Sequence, residues 1–165
     1  MRAGVFGIAF VAALMAGAPG AWAMATSGRP VAAAPTDDAA IARQLIQHQE
    51  FAAAIPHLDA ALKLHPADAD ILNDLGYAHR MVSAGEAGAD RERDFALSLD
   101  FYNRALALDP KHRGVHEYLG ELYLQMGKPD AAQHELDVLA TLCPEGCVER
   151  ETLAKSIAAH APGGW

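Results

Sequence analysis

Residues 110–144 read PKHRGVHEYLGELYLQMGKPDAAQHELDVLATLCP, and this stretch decides the fold. It begins and ends on proline, 34 residues apart. Between the prolines lie two amphipathic runs, about 112–126 and 129–142, split at Gly127-Lys128-Pro129. Proline cannot extend a helix and pushes the residue before it out of the α region, so Pro144 marks where the second run stops. Gly120 stands inside the first run. A glycine there costs about 1 kcal/mol unless something packs against its bare backbone.

The same pattern extends toward the N-terminus. Leu62-Lys-Leu-His-Pro66 and Leu106-Ala-Leu-Asp-Pro110 end as Leu139-Ala-Thr-Leu-Cys-Pro144 does. Pro66 and Pro110 are 44 residues apart, ten more than the next interval. Leu75-Gly76-Tyr77 precedes Pro110 as Leu119-Gly120 precedes Pro144, with 34 and 24 residues from glycine to proline. The ten extra residues therefore fall between Gly76 and Pro110, in the polar stretch 83–93. Small residues at Ala54, Ser98 and Ala132 recur at matching places and permit two helices to approach closely. Leu58, Tyr102 and Leu136 follow them at large apolar positions.

A period of 34, two helices per unit and Leu-Gly in the first helix resemble the tetratricopeptide repeat. The resemblance covers about residues 36–147 and is clearest in the third unit. The first unit departs from it, with Ala42 where the glycine should be. It implies an all-α fold, a right-handed α-solenoid of three helix pairs plus a C-terminal capping helix. The units are about 36–66, 67–110 with the ten-residue insertion near 83–93, and 111–144. The pairs are 36–48 with 51–64, 68–83 with 93–108, and 112–126 with 129–142. A last helix over 148–160, with Val148, Leu153 and Ile157 on its apolar side, closes the exposed end, as terminal repeats must. Residues 161–165 form a tail.

The apolar content does not all belong to this array. Residues 1–23 carry Arg2, an apolar run from Ala3 to Ala16, the breaker Pro19-Gly20 and Ala21-Trp22-Ala23, the layout of a cleavable secretory signal. Cleavage is expected after Ala23 or Ala25, which places the mature chain in the periplasm or outside the cell. The run is too short and too interrupted to span a bilayer, so no membrane insertion is expected after cleavage. Residues 24–35, rich in Gly, Pro and small side chains, form a flexible lead-in. With this leader, the whole resembles small secreted tetratricopeptide proteins of proteobacteria.

Hydrophobic residues at 52% exclude a disordered chain. The formal net charge of −8 argues against a duplex nucleic-acid binder or a binder of anionic lipid, both of which need a basic face. Loss of the leader removes Arg2 and no acid, so the mature chain is more acidic still.

No phosphate-cradling loop, nucleophile elbow or dinucleotide fingerprint is present, so no enzyme activity, catalytic residue or cofactor is expected. Cys143 and Cys147 are the only cysteines. In an exported protein such a pair reads as a disulfide tying the third unit to the last helix. The alternative is a thiol- or metal-linked protein using this pair, with His112 or His116. His112 and His116 share a helix face, but two imidazoles without a third ligand do not make a metal site. No metal is therefore expected, and His116 is read as a packing or groove residue.

The resemblance implies that the first helix of each unit lines a concave groove. The positions that fall there are Arg43, Ile46 and Gln47 in the first unit and Asp70, Asn73, Tyr77, Arg80 and Met81 in the second. In the third they are Glu117, Glu121, Leu124 and Gln125. The aromatic, amide, cationic and thioether groups of the second unit suit peptide recognition. The expected function is a non-enzymatic adaptor binding a protein or peptide partner on this groove. Ala39, Arg43 and Asp74 depart from the lysine- and asparagine-rich clamp by which one branch of the family holds a terminal carboxylate.

Overall fold

The computed structural model describes residues 37–160; the expected signal peptide, lead-in and tail lie outside them. The described residues form α1 (Asp38–Gln47), α2 (Phe51–Leu64), α3 (Ala69–Ser83), α4 (Gly88–Leu108), α5 (Arg113–Gln125), α6 (Pro129–Leu142) and α7 (Val148–His160). Among them there is no strand. They pair as α1 with α2, α3 with α4 and α5 with α6, and α7 packs on both α5 and α6. The arrangement is an all-α helical repeat solenoid.

The prolines act as expected. α2, α4 and α6 each end two residues before one, and His65, Asp109 and Cys143 leave the helix with nearly the same φ, −129°, −131° and −137°. Each restricted residue precedes Pro66, Pro110 or Pro144 and cannot stay helical. The next helix is capped from the side chain: Asp68 accepts from the amides of Asp70 and Ile71, and His112 Nδ1 from that of Val115.

The recurrent glycine is explained by contact. A Cβ on Gly76 would lie 2.5 Å from the ring of Tyr102, which is wholly buried. The Ser98 hydroxyl donates to the Gly76 carbonyl at 2.7 Å across the same gap. A Cβ on Gly120 would lie 2.5 Å from Leu153 of α7. Leu136, at the place of Tyr102, is smaller and only partly buried, and Leu153 reaches in from the capping helix. In the first unit Ala42 replaces the glycine while Leu58 replaces the tyrosine, and both are fully buried. The larger helix residue thus accompanies the smaller partner. Ala54, Ser98 and Ala132 are all fully buried.

Two sequence expectations are corrected. The polar stretch 83–93 is mostly helix: α4 starts at Gly88 rather than 93 and runs for 21 residues, against 14 in α2 and α6. Its added turns are polar because most of their side chains are exposed, and composition alone resembles a loop. Asp94 anchors this end, with Arg93 at 3.1 Å and His79 at 2.7 Å. Val148, expected on the packing side of α7, is its first residue and 70% exposed.

Each unit also carries one histidine–carboxylate tie between its helices: His57 to Asp38, His79 to Asp94 and His116 to Glu135, all at 2.7 Å. Burial alone would lower the pKa of His116, but Glu135 and the Pro110 carbonyl outweigh it and hold the imidazole above its ordinary value.

The α1–α2 and α5–α6 turns share one closing pattern. Glu50 N–H donates to Leu45 and Lys128 N–H to Tyr123, both at 2.8 Å, which requires a left-handed residue between. That residue is Gly127 (φ 70°) in one turn and Gln49 (φ 62°) in the other.

Three measurements check these readings. Gly76→Ala should cost about 1–3 kcal/mol in urea unfolding through overpacking against Tyr102, whereas Gly114→Ala, with only ordinary contact to His112, should be neutral or stabilising. Gln49→Gly should raise stability by about 0.5–1 kcal/mol by relieving the left-handed backbone. The raised pKa of His116 means that its charged-state stabilisation is fully present below the unfolded value near 6.5 and fades as pH rises through the folded value. Glu135→Gln should therefore cost about 1–2 kcal/mol at pH 5.5 and clearly less at pH 9.

Candidate functional site

The groove expected along the first helices centres on α3 and α5. On α3 the stripe Asn73, Tyr77, Arg80 advances by four and then three residues, which keeps it on one face. On α5 the facing stripe is Glu117, Tyr118 and Glu121. The rings of Tyr77 and Tyr118 lie 4.8 Å apart at a 32° tilt, and Phe51 from α2 meets Tyr77 edge-on at 5.6 Å. Both tyrosines remain partly exposed.

Arg80 lies under this pair. Its guanidinium carbon is 5.3 Å from the Tyr77 ring centre and 5.7 Å from that of Tyr118, and Nη2 donates to Glu121 Oε2 at 2.8 Å. The residue is 5% exposed. Its charge serves the internal fit of α3 against α5, with a carboxylate and two aromatic faces as counterparts. Ser156 of α7 donates its hydroxyl to the other Glu121 oxygen at 3.2 Å, bringing the capping helix into the same network.

Two carboxylates beside the tyrosines have no cation within ion-pair distance among the described residues. Burial, with Glu121 and Glu149 nearby, pushes Glu117 up to about 7, against the opposing effect of Arg80. Burial, offset by Arg43 and reinforced by Asp70 and Asp68, pushes Asp74 up to about 6. Burial together with Glu117 raises the Tyr118 hydroxyl to about 12. Asn73 is buried, and its side-chain oxygen has no hydrogen-bond partner among the described residues.

The other sequence candidates scatter. Arg43 and Gln47 are exposed on α1, and Arg43 lines a cleft of about 370 Å³ with Asp37, Asp38, Leu64 and Asp68. Ile46 packs on the core, and Met81 is partly buried. Leu124 is 7% exposed and belongs to the cluster of Ala132, Leu139 and Leu153 rather than to an open surface. Gln125 is exposed beside Ser83, Arg91 and Phe95. Asp70 accepts a hydrogen bond from His112 Nε2 at 2.9 Å. His112 and His116 thus turn to separate partners, and among the described residues no three His, Cys, Asp or Glu side chains converge to hold a metal ion. Cys143 and Cys147 sit at disulfide distance between α6 and α7, with Cα atoms 6.0 Å apart.

Tyr118 joins the site although sequence reasoning left it out, and Asp74, read from the sequence only as a departure from the carboxylate clamp, joins with it. They occupy the same place in their units, two residues before Gly120 and Gly76. That shared register was the available signal.

Two family models, each described as tetratricopeptide repeat, match residues 39–112 and 91–141. No curated protein matches the chain. No helix among the described residues is long and apolar enough to cross a membrane. Repeats of this kind mediate protein–protein interaction, and their family is typically non-enzymatic. With helix pairs closed on Gly76 and Gly120 and both models falling on them, the chain belongs to the tetratricopeptide repeat family.

Proposed function

We propose that the chain is a non-enzymatic adaptor that binds a protein or peptide segment along the face lined by α1, α3, α5 and α7. The observation that carries this reading is the partly exposed Tyr77–Tyr118 pair, fixed from beneath by Arg80 and Glu121. A preorganised aromatic surface binds without first having to order its own side chains. Two tilted tyrosine rings in contact also offer apolar area with polar edges, a common composition of interface anchors. The leader of residues 1–23 supports action in the cell envelope or beyond it.

The test is site-directed photo-crosslinking in cells that produce the protein. Benzoylphenylalanine at Tyr77 should give a discrete adduct that the same group at Arg104, an exposed residue of α4, does not give. Tyr118→Ala should weaken adduct formation at least tenfold while the helical circular-dichroism signal is kept. No adduct at position 77, or the same adduct from both positions, rejects the groove.

A further inference from the structure

The same face has a chemical preference. Around the tyrosine pair the polar groups left without partners among the described residues are mostly acceptors: the carboxylates of Glu117 and Asp74 form no ion pair there, and the Asn73 oxygen is buried and unbonded. The exceptions are Arg80 Nε and the wholly buried Tyr102 hydroxyl, neither of which reaches the open side of the face. Arg80, the obvious cation for an acidic partner, is already neutralised by Glu121 and almost wholly buried. The structure also shows what these rings accept, because a guanidinium already lies within 6 Å of both ring centres from the inner side. Resting on the adaptor reading above, we propose that the outer side of this face receives a lysine or arginine side chain of the partner segment, with Tyr77 and Tyr118 as its platform, Glu117 as its counterion and Asp74 one turn away along α3.

Charge complementarity supports this occupant over an acidic or purely apolar one. An acidic segment would meet Glu117 and Asp74 with Arg80 unavailable; Arg43 and His112 act only at the Asp74 end, and Arg113 is engaged by Glu149, so like charges brought together around Glu117 cost affinity. An apolar segment would cover two half-buried carboxyl groups and leave their oxygens unsatisfied. A cation satisfies them and favours their ionised form. Because burial holds Glu117 near 7 and Asp74 near 6, a cation binding there displaces protons, and its affinity should rise between pH 5.5 and 8.

The experiment uses the chain without residues 1–23 and a library of random ten-residue peptides displayed on beads. Bound sequences should be enriched in Lys or Arg at one position. A synthetic copy of the best binder, labelled for fluorescence anisotropy, should lose at least tenfold in affinity when that arginine is replaced by citrulline, or that lysine by acetyl-lysine. Glu117→Gln with Asp74→Asn should abolish the discrimination between charged and neutral peptides and flatten the pH dependence. Circular dichroism should show that this variant keeps its helices, and if the double variant unfolds, Glu117→Gln alone should carry the effect. Enrichment of acidic or uncharged peptides, equal binding of the neutral analogue, discrimination that survives in the folded carboxamide variant, or no peptide bound at all overturns the proposal. If the Tyr77 crosslink captures a partner through a segment without Lys or Arg, the cation preference falls while the adaptor reading stands; if that crosslink is absent, the adaptor reading falls as well.

Discussion

The contact between α3 and α4 at Gly76 is the constraint on which the rest of the molecule depends. The Tyr102 ring occupies the space a Cβ would need, and the Ser98 hydroxyl bonds the glycine carbonyl across the gap. Neither contact forms unless the two backbones come close, and neither tolerates much sliding. Tyr77 is the next residue along α3, so the fit that seats Gly76 also fixes the direction in which Tyr77 faces. Core packing and the proposed recognition surface are two faces of one helix held by one contact.

Much of this was legible in the sequence because it rests on residue types with few conformational options. Proline ends a helix almost regardless of context, and the three helix exits before Pro66, Pro110 and Pro144 have nearly the same φ. A glycine inside a helical pattern is unfavourable enough to demand a packing reason. The histidine ties were not legible. His79 and Asp94 are 15 residues apart and His116 and Glu135 19, separations that mean nothing until the helices are paired. Arg80 was misjudged as an available cation for a related reason. Spacing gives its helix face but not the depth of its guanidinium, which depends on Tyr77 of its own helix and on Tyr118 and Glu121 of the next unit.

The electrostatics of the face follow from that depth. An arginine held between two aromatic rings and one carboxylate is no longer a free charge. Its removal from the surface leaves the neighbouring acids dominant. Glu117 and Asp74 owe their raised pKa values to burial first and to their acidic neighbours second, with Arg80 and Arg43 offsetting only part of the effect. The character of the surface is therefore set by which cation the fold has used internally, and overall composition says little about it.

The long α4 has a geometric consequence. It exceeds its counterparts α2 and α6 by seven residues, nearly two full helical turns. Extra length of that size moves the start of the helix along its axis by about 10 Å but hardly rotates it about that axis. The chain thus enters α4 on the same side as in the neighbouring units, and Asp94, Ser98 and Tyr102 keep their direction toward α3. An addition of five residues would have brought the chain in from the opposite side. Insertions into such a stack are in this sense quantised, tolerated in whole turns, and the polar stretch that interrupts the period in sequence leaves its angular order in space intact.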